Sequence, residues 1–387
     1  HSKTNSNVVS DRYFEYGKPK KYFNGKNKEV EIEIKYPRNS CTPLEGFFVH
    51  ANYNSDDDIF TVQSNFQGPF SLHSVLSRAL KVDEGRLRLI SIENSGGSFG
   101  IKQAIMPMII LTCLASKISK KNIVWIEDRI EHLTAASSAT GRLTKIRASV
   151  TKDGFINALD YDQVDDVGAY LRAPEPASLY RMHGNLSGPY KVKNISCRNR
   201  VILTNKTPSG LNRGFGGPQH YYALERLVKK IADELKLSHL DVIEKNILEK
   251  KQFPYKSPAG ALLDSGDYIK LIRKVKNSNS YKKILRRKTE AVKNGKLYGI
   301  GYSVIVEPSI SNMGYITTAL PYSEREKVGH KGGALASSSV SIGPTGSVYV
   351  SCDSVPQGQG HHTILSQVVA DIFSLNPSDI IINTILD

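Results

Sequence analysis

Apolar residues recur along this chain in two periods, and the switches between them mark its elements. Residues 60–64 (Phe-Thr-Val-Gln-Ser) alternate as a strand does, and residues 71–80 repeat at helical spacing. A strand-like run follows at 87–92, then an apolar helix to about Ser116 and a short buried strand at 123–126. Residues 142–150 and 155–162 alternate around Lys152-Asp153-Gly154, which predicts a hairpin. Leu224, Leu227, Val228, Ile231 and Leu235 mark one face of a longer helix. From Tyr298 the pattern resumes with strands near 299–306. A hairpin follows around Gly343-Pro344-Thr345-Gly346, then a helix at 363–373 and a strand at 380–385. Strands and helices alternating in short units predict an α+β (mixed α/β) fold.

The organisation along the chain follows from breaks in that pattern. Residues 1–45 are polar and lysine-rich with one strand-like run at 29–36, so they read as the tail of a preceding unit. Residues 46–255 form a first α/β unit. Pro254, Pro258 and Gly260 mark a loop that opens a basic helical linker over 256–297, and residues 298–387 begin a second unit. His1 in place of methionine is expected if the chain starts inside a longer polypeptide, or after a processed or tagged end.

Composition changes this picture little: of 387 residues, 40% are hydrophobic and 23% charged, as in ordinary soluble domains. The net charge of +15 is largely local. Residues 270–296 carry eleven Lys or Arg against one acid, Glu290. Ile272, Val275, Ile284 and Leu285 interrupt that run at helical spacing, which favours the solvated face of a helix pair over a nucleic-acid patch. Cys41, Cys113, Cys197 and Cys352 are far apart, with no C-x-x-C, so neither a metal cluster nor a disulfide framework is expected. The longest apolar stretch, 105–115, is too short to span a bilayer and contains Pro107. With no leader pattern, a cytoplasmic protein away from membranes is the expectation.

Three glycine-rich loops carry the chemistry. Leu211-Asn212-Arg213-Gly214-Phe215-Gly216-Gly217-Pro218-Gln219 stands before the long helix, with Pro218 suited to its first turn. Ser95-Gly96-Gly97-Ser98-Phe99-Gly100-Ile101-Lys102 follows a strand and opens the apolar helix. Gln357-Gly358-Gln359-Gly360 follows the strand at 348–350 and precedes the helix at 363–373. Helix N-termini behind flexible loops present free N–H groups to anions. Three of them suggest one extended ligand held from several sides. Neither G-x-x-x-x-G-K-[ST] nor a G-x-G-x-x-G opening a βαβ unit is present, which argues against P-loop and Rossmann nucleotide sites.

In these loops the chain resembles the molybdopterin-binding large subunit of the molybdenum hydroxylases: xanthine dehydrogenase, aldehyde oxidase and carbon monoxide dehydrogenase. Six stretches carry the likeness in order. They are Cys41-Thr42-Pro43-Leu44-Glu45, Asn65-Phe66-Gln67-Gly68-Pro69, Gly96 to Lys102, Arg213 to Pro218 with Glu225-Arg226 behind it, Asp264 to Tyr268, and Gly358 to Thr363. The resemblance implies two molybdopterin-binding subdomains, the second incomplete, after the tail of a hammerhead-type domain. It implies a molybdenum cofactor in cytosine dinucleotide form, with no protein ligand to the metal. Gln67 would bond an oxo group on molybdenum. Gly96, Gly97, Phe99 and Gly100 would face the same region, with Gly214, Phe215 and Gly216 nearby. Gly358, Gln359 and Gly360 would hold the pterin. Arg213 would stabilise negative charge on a small-molecule substrate. The implied reaction is hydroxylation of an aldehyde or N-heterocycle by water, with electrons leaving through partner subunits that carry 2Fe-2S clusters and FAD. The family's general-base glutamate lies beyond Asp387, so a further chain carrying that C-terminal part is an expected partner.

Departures refine these expectations. Ser98 replaces a glycine, tolerable if its φ is negative. No cysteine lies near Arg213 in sequence, which disfavours copper-dependent CO oxidation. Tyr180 stands near the position of the xanthine branch's substrate-orienting glutamate, which disfavours purines. Read alone, Gln67 is equally a strand-end cap, Arg213 an ion-pair partner of Glu225 or Asp241, and Phe99 a core aromatic. His361-His362 do not share a helix face, so solvent or cofactor-edge contacts are expected of them. Glu175, between two prolines, reads as a rigid surface loop sooner than a base.

Overall fold

The computed structural model describes residues 5–172, 175–307, 324 and 336–385. Two strands open it, β1 (Val8–Tyr16) and β2 (Lys28–Tyr36). Then come β3 (Phe48–Asn54), β4 (Ile59–Ser64), helix α1 (Pro69–Leu80), β5 (Leu87–Ser91), α2 (Met106–Ser119) and β6 (Ile123–Ile126). The last four of these strands form a sheet in the order β5-β4-β3-β6, with β4 and β5 parallel across α1. Val49, Ala51, Phe60 and Val62 bury the inner face against Leu72 and Leu76 of α1 and Ile109 and Cys113 of α2. Burial pushes the Cys113 thiol up to about 12, so it is a small core residue. The helical stretch Ile101–Ser119 has the length and apolar composition to cross a membrane, yet its inner side packs in this core.

Helix α3 (Arg129–Ala135) leads to the hairpin of β7 (Gly141–Val150) and β8 (Ile156–Asp166), then α4 (Ala177–Tyr180) and β9 (Asn194–Ile202). Their sheet has the order β1-β9-β8-β7-β2. The first 45 residues are therefore no detached tail: β1 pairs with β9 and β2 with β7, and both become its edges. The polar look of these strands is that of edges with one wet face; in β2 only Val30 and Ile34 are buried. Helix α5 (Gly217–Leu235) lies across β2 and β7, with Leu224, Leu227, Val228 and Ile231 fully buried. Helix α6 (His239–Asn246) packs beside it.

A short ladder, β10 (Tyr255–Lys256) with β11 (Leu262–Leu263), precedes the basic pair α7 (Tyr268–Asn277) and α8 (Asn279–Lys293). In α7 only Ile272 is buried and in α8 nothing is, as a solvated face requires. Lys276 bonds Asp241 and Glu244 of α6. The expected strand at 299–306 does not form. Its polar groups go to side chains of α5 instead: Val304 N–H donates to Glu225 (3.0 Å), and Val306 N–H and C=O both bond Tyr221 Oη. The second unit has β12 (Ser338–Ile342) antiparallel to β13 (Val348–Cys352), then α9 (His361–Phe373) crossing to the parallel strand β14 (Ile380–Asn383). Val348, Val350, Val369, Ala370 and Ile380 make its small core.

Glu225 couples this architecture to pH. It accepts from Tyr190 Oη (2.7 Å) as well as from Val304, and burial pushes it from 4.5 up to about 7. The folded protein thus holds this proton more tightly than the unfolded chain. That contribution is complete below the ordinary carboxylate range and is lost as pH rises through about 7. Unfolding free energy measured by urea titration is expected to fall between about pH 4.5 and 7 by up to about 3 kcal/mol from this group. Glu225→Gln, which keeps an acceptor for Val304 and offers a donor to Tyr190, is expected to flatten that slope.

Candidate functional site

Each of the three glycine loops, like the turn at 65–68 between β4 and α1, leaves the carboxyl end of a strand and enters a helix: residues 92–105 lead from β5 to α2, 203–216 from β9 to α5, and 353–360 from β13 to α9. Ligands of α/β units sit at those strand ends. Here the loops meet. Ser95 and Gln357 form a parallel bridge between the two units. Gln357 Nε2 donates to the Phe66 carbonyl (3.3 Å), Ser98 Oγ donates to Gln67 Oε1 (2.7 Å), and the Arg213 N–H donates to the Phe99 carbonyl (2.7 Å).

Glu45 organises the loop at 95–100. Its carboxylate accepts from the Gly96 N–H (2.8 Å), Asn65 Nδ2 (2.5 Å) and the Lys102 ammonium. The Gly96 amide is therefore turned to Glu45 and away from any ligand. Burial pushes the Glu45 carboxyl up, and the hydrogen bonds from Lys102, Asn65 and Gly96 outweigh it, leaving it below its ordinary value. Lys102 has no exposed side-chain surface, and burial lowers its ammonium despite Glu45. Ser98 is not in the left-handed region; that conformation falls on Phe99 (φ +54) and Gly100 (φ +107). A Cβ on Gly100 would stand 2.8 Å from Leu211, so only glycine lets the first loop touch the Arg213 loop. Among the described residues, the amides of Gly97, Phe99 and Gly100 have no protein acceptor. Gln359 Oε1 accepts from the Gln357 N–H, and Gly360 (φ +76) caps α9.

Arg213 is exposed, with its guanidinium over the Phe99 ring at 5.1 Å. Glu225 and Asp241 bond Tyr190 and Lys276 instead, so neither pairs with it. Phe99 is 39% exposed and forms the cation's platform, outside the core. Arg181 clamps the turn behind: Nη1 donates to the Gly214 carbonyl (3.1 Å), the guanidinium lies over Phe215 (4.9 Å), and it pairs with Glu307. A cavity of about 320 Å³ opens here, walled by Phe99, Arg213, Phe215, Cys41, Thr140 and Gln219. Below it, Arg142 holds Asp165 with two hydrogen bonds (2.5 and 2.9 Å) and the Ser178 carbonyl with a third (2.9 Å).

Glu175 belongs to this floor and corrects the surface-loop expectation. It is 9% exposed and accepts from Thr140 Oγ1 and Ser178 Oγ. Burial, then the Asp165 charge, raises its carboxyl above the ordinary value. Tyr180 is buried against Phe14 rather than walling the cavity. His361 Nδ1 faces the Ser354 carbonyl (3.3 Å) and His362 Nε2 faces Thr384 Oγ1 (2.8 Å). Sequence reasoning gave no role to Lys102, Glu45 or Arg181. A lone lysine opening an apolar helix was the available signal, because a buried ammonium requires a carboxylate.

The turn at Gly216 is the least forgiving point. It has φ +88, and a Cβ would sit 2.0 Å from the Ser178 carbonyl oxygen. Gly214 shares the left-handed conformation (φ +83) but meets nothing nearer than 3.3 Å. Gly214→Ala is expected to cost about 1–2 kcal/mol of backbone strain. Gly216→Ala is expected to cost clearly more in the same denaturant titration and to yield little folded protein.

Known proteins resemble this chain throughout. A molybdopterin cofactor-binding domain model matches residues 1–247, and a second such model matches residues 274–385. The nicotine 6-hydroxylase large subunit of Paenarthrobacter nicotinovorans is 31% identical over 87% of this chain and 40% of its own length. The carbon monoxide dehydrogenase large chain of Hydrogenophaga pseudoflava is 29% identical over 91% of this chain and 43% of its own. The crystal structure of quinoline 2-oxidoreductase from Pseudomonas putida 86 superposes with a TM-score of 0.86 at 26% identity, over 97% of this chain and 47% of that one. The chain thus spans less than half the length of each of these three relatives. Glycine loops meeting at strand ends, under two cofactor-binding domain matches, place this chain in the molybdopterin-binding large-subunit family that includes xanthine dehydrogenase.

Proposed function

We propose that this chain forms the molybdopterin-holding part of a molybdenum hydroxylase acting on an aldehyde or N-heterocycle, with water as the oxygen donor. The observation that carries the reading is the meeting of loops 95–100, 211–216 and 357–360, two of them joined by the Ser95–Gln357 bridge. An extended, anionic, polar-edged ligand fits them. Free amides of Gly97, Phe99 and Gly100 offer donors, and glycine at 100 and 216 keeps the walls close. When bound, the molybdenum cofactor, in its cytosine dinucleotide form, supplies the two-electron redox chemistry.

The chain's own residues bind and orient. Gln67, held by Ser98, directs its amide toward the cofactor edge. Gly214, Phe215 and Gly216 shape the turn beside it, and Gly358, Gln359 and Gly360 close the far side. Gly96 acts through Glu45, by fixing the loop. Arg213 stabilises negative charge that develops on the substrate, a role suited to a guanidinium with no carboxylate partner among the described residues. Phe99 and Phe215 exclude water from the reacting face. Electrons leave to an iron–sulfur (2Fe-2S) subunit and an FAD subunit. The names "large subunit" and "large chain" borne by relatives support such an assembly. The complex works in the cytoplasm, with neither nucleic acid nor membrane as partner.

The deciding experiment is elemental analysis of protein purified from its native host, with copurifying chains identified. About one molybdenum per chain, alongside iron- and flavin-bearing partners, is the expected result. A folded chain that purifies alone without molybdenum would leave a noncatalytic module of the same family. In the assembled enzyme, Arg213→Met is expected to lower kcat by about 10²-fold with bound molybdenum unchanged.

A further inference from the structure

Residues 38–41 run between two cavities and line them alternately. Asn39 and Cys41 wall the one already described, while Arg38 and Ser40 wall a second, of about 370 Å³. That alternation is the strand period. In the second cavity Ser40 Oγ lies 3.3 Å from His132 Nε2, and His132 Nδ1 lies 2.8 Å from Glu127 Oε2. The same Glu127 oxygen accepts from the Phe47 N–H at 3.0 Å, which fixes its position at the end of β6. Glu127 and His132 are both buried, at 8% and 2% exposure, and Ser40 is half-buried. With the imidazole N–H on Nδ1 donating to Glu127, the Nε2 lone pair faces the Ser40 hydroxyl. The Thr42 N–H donates to that hydroxyl oxygen (3.2 Å) and holds it in place.

Two further atoms point to a ligand. Ser137 Oγ, on a residue only 1% exposed, and Arg38 Nε are buried without a hydrogen-bond partner among the described residues, and both residues wall this cavity. Unpartnered buried donors cost about 1–3 kcal/mol each, a cost that a carbonyl oxygen seated in the cavity would relieve. A nucleophile within reach of a base, a base oriented by a carboxylate, and free donors nearby are the parts of an acyl-transfer site.

We propose that Ser40, His132 and Glu127 form a second site that hydrolyses small carboxylic esters. Ser40 Oγ attacks the acyl carbon while its proton passes to His132 Nε2, and Arg38 and Ser137 stabilise the charge on the carbonyl oxygen. The ester C–O bond breaks, and the departing alcohol takes the proton from Nε2. Water then attacks the acyl-serine, gives its proton to Nε2, and releases the carboxylic acid with Ser40 restored. Glu127 is a positioning residue that keeps the imidazole in the required tautomer. No electrons are exchanged, so the site is independent of the molybdopterin reading.

The test treats the full chain with a fluorophosphonate probe and maps the adduct by mass spectrometry, beside hydrolysis of p-nitrophenyl acetate. One adduct on Ser40 is expected, with kcat/KM at least about 100-fold lower in Ser40→Ala and in His132→Asn. Glu127→Gln is expected to lower kcat at unchanged KM, a split that mere loosening of the fold would not give. Molybdenum content should be the same in Ser40→Ala as in the wild type. A folded wild-type chain without an adduct on Ser40, or a Ser40→Ala chain that hydrolyses the ester at the wild-type rate, overturns the proposal.

Discussion

The ion pair of Glu45 and Lys102 is the contact on which the site depends. Lys102 has no exposed side-chain surface, so its charge is tolerable only beside a fixed carboxylate; removing one partner of such a pair typically costs about 3–5 kcal/mol. Glu45 in turn takes the Gly96 N–H and the Asn65 amide. One carboxylate therefore ties the segment before β3, the end of β4 and the loop after β5. Gly96 is held from behind, while the amides of Gly97, Phe99 and Gly100 take no acceptor among the described residues. A loop of glycines left to itself would sample many conformations at an entropic cost on binding; here that ordering is met during folding.

The Arg213 loop is fixed by a different device. Arg142 bridges Asp165 and the Ser178 carbonyl, and the Gly216 turn packs against that carbonyl. Two acids, Asp165 and Glu175, share this floor with one guanidinium. Burial and the Asp165 charge raise the Glu175 carboxyl above its ordinary value, and the Thr140 and Ser178 hydroxyls donate to it. Arg142 is paired with Asp165 on the floor, and Arg213 stands exposed at the mouth. A cation over an aromatic ring, with no carboxylate on it among the described residues, keeps its field for whatever enters the cavity.

What the sequence made legible follows the range of the interactions involved. The hairpin of β7 and β8, the helix behind Pro218 and the three glycine loops are local, and periodicity and turn chemistry expose them. The edge strands β1 and β2 read as a tail because their partners lie far along the chain: Tyr16 meets Ile195, and Lys28 meets Val150. The run at 299–306 alternates like a strand, but Glu225 and Tyr221 take its amides, and only the tertiary fold brings α5 there. Glu175 looked exposed because prolines flank it; its burial depends on Arg142, Asp165 and Thr140 arriving from β7, β8 and the turn before them.

The segment 38–41 shows how one stretch serves two walls. A strand's side chains alternate, so any extended segment separating two cavities contributes to both. Cys41 and Asn39 are drawn to the loop side, where Cys41 Sγ reaches the Ser98 carbonyl at 3.6 Å. That contact fixes the phase of the alternation, and the phase carries Ser40 to His132. The register that completes the glycine-loop cavity is the register that places a hydroxyl on an oriented histidine, so a change that slips residues 38–41 by one position would disturb both cavities together.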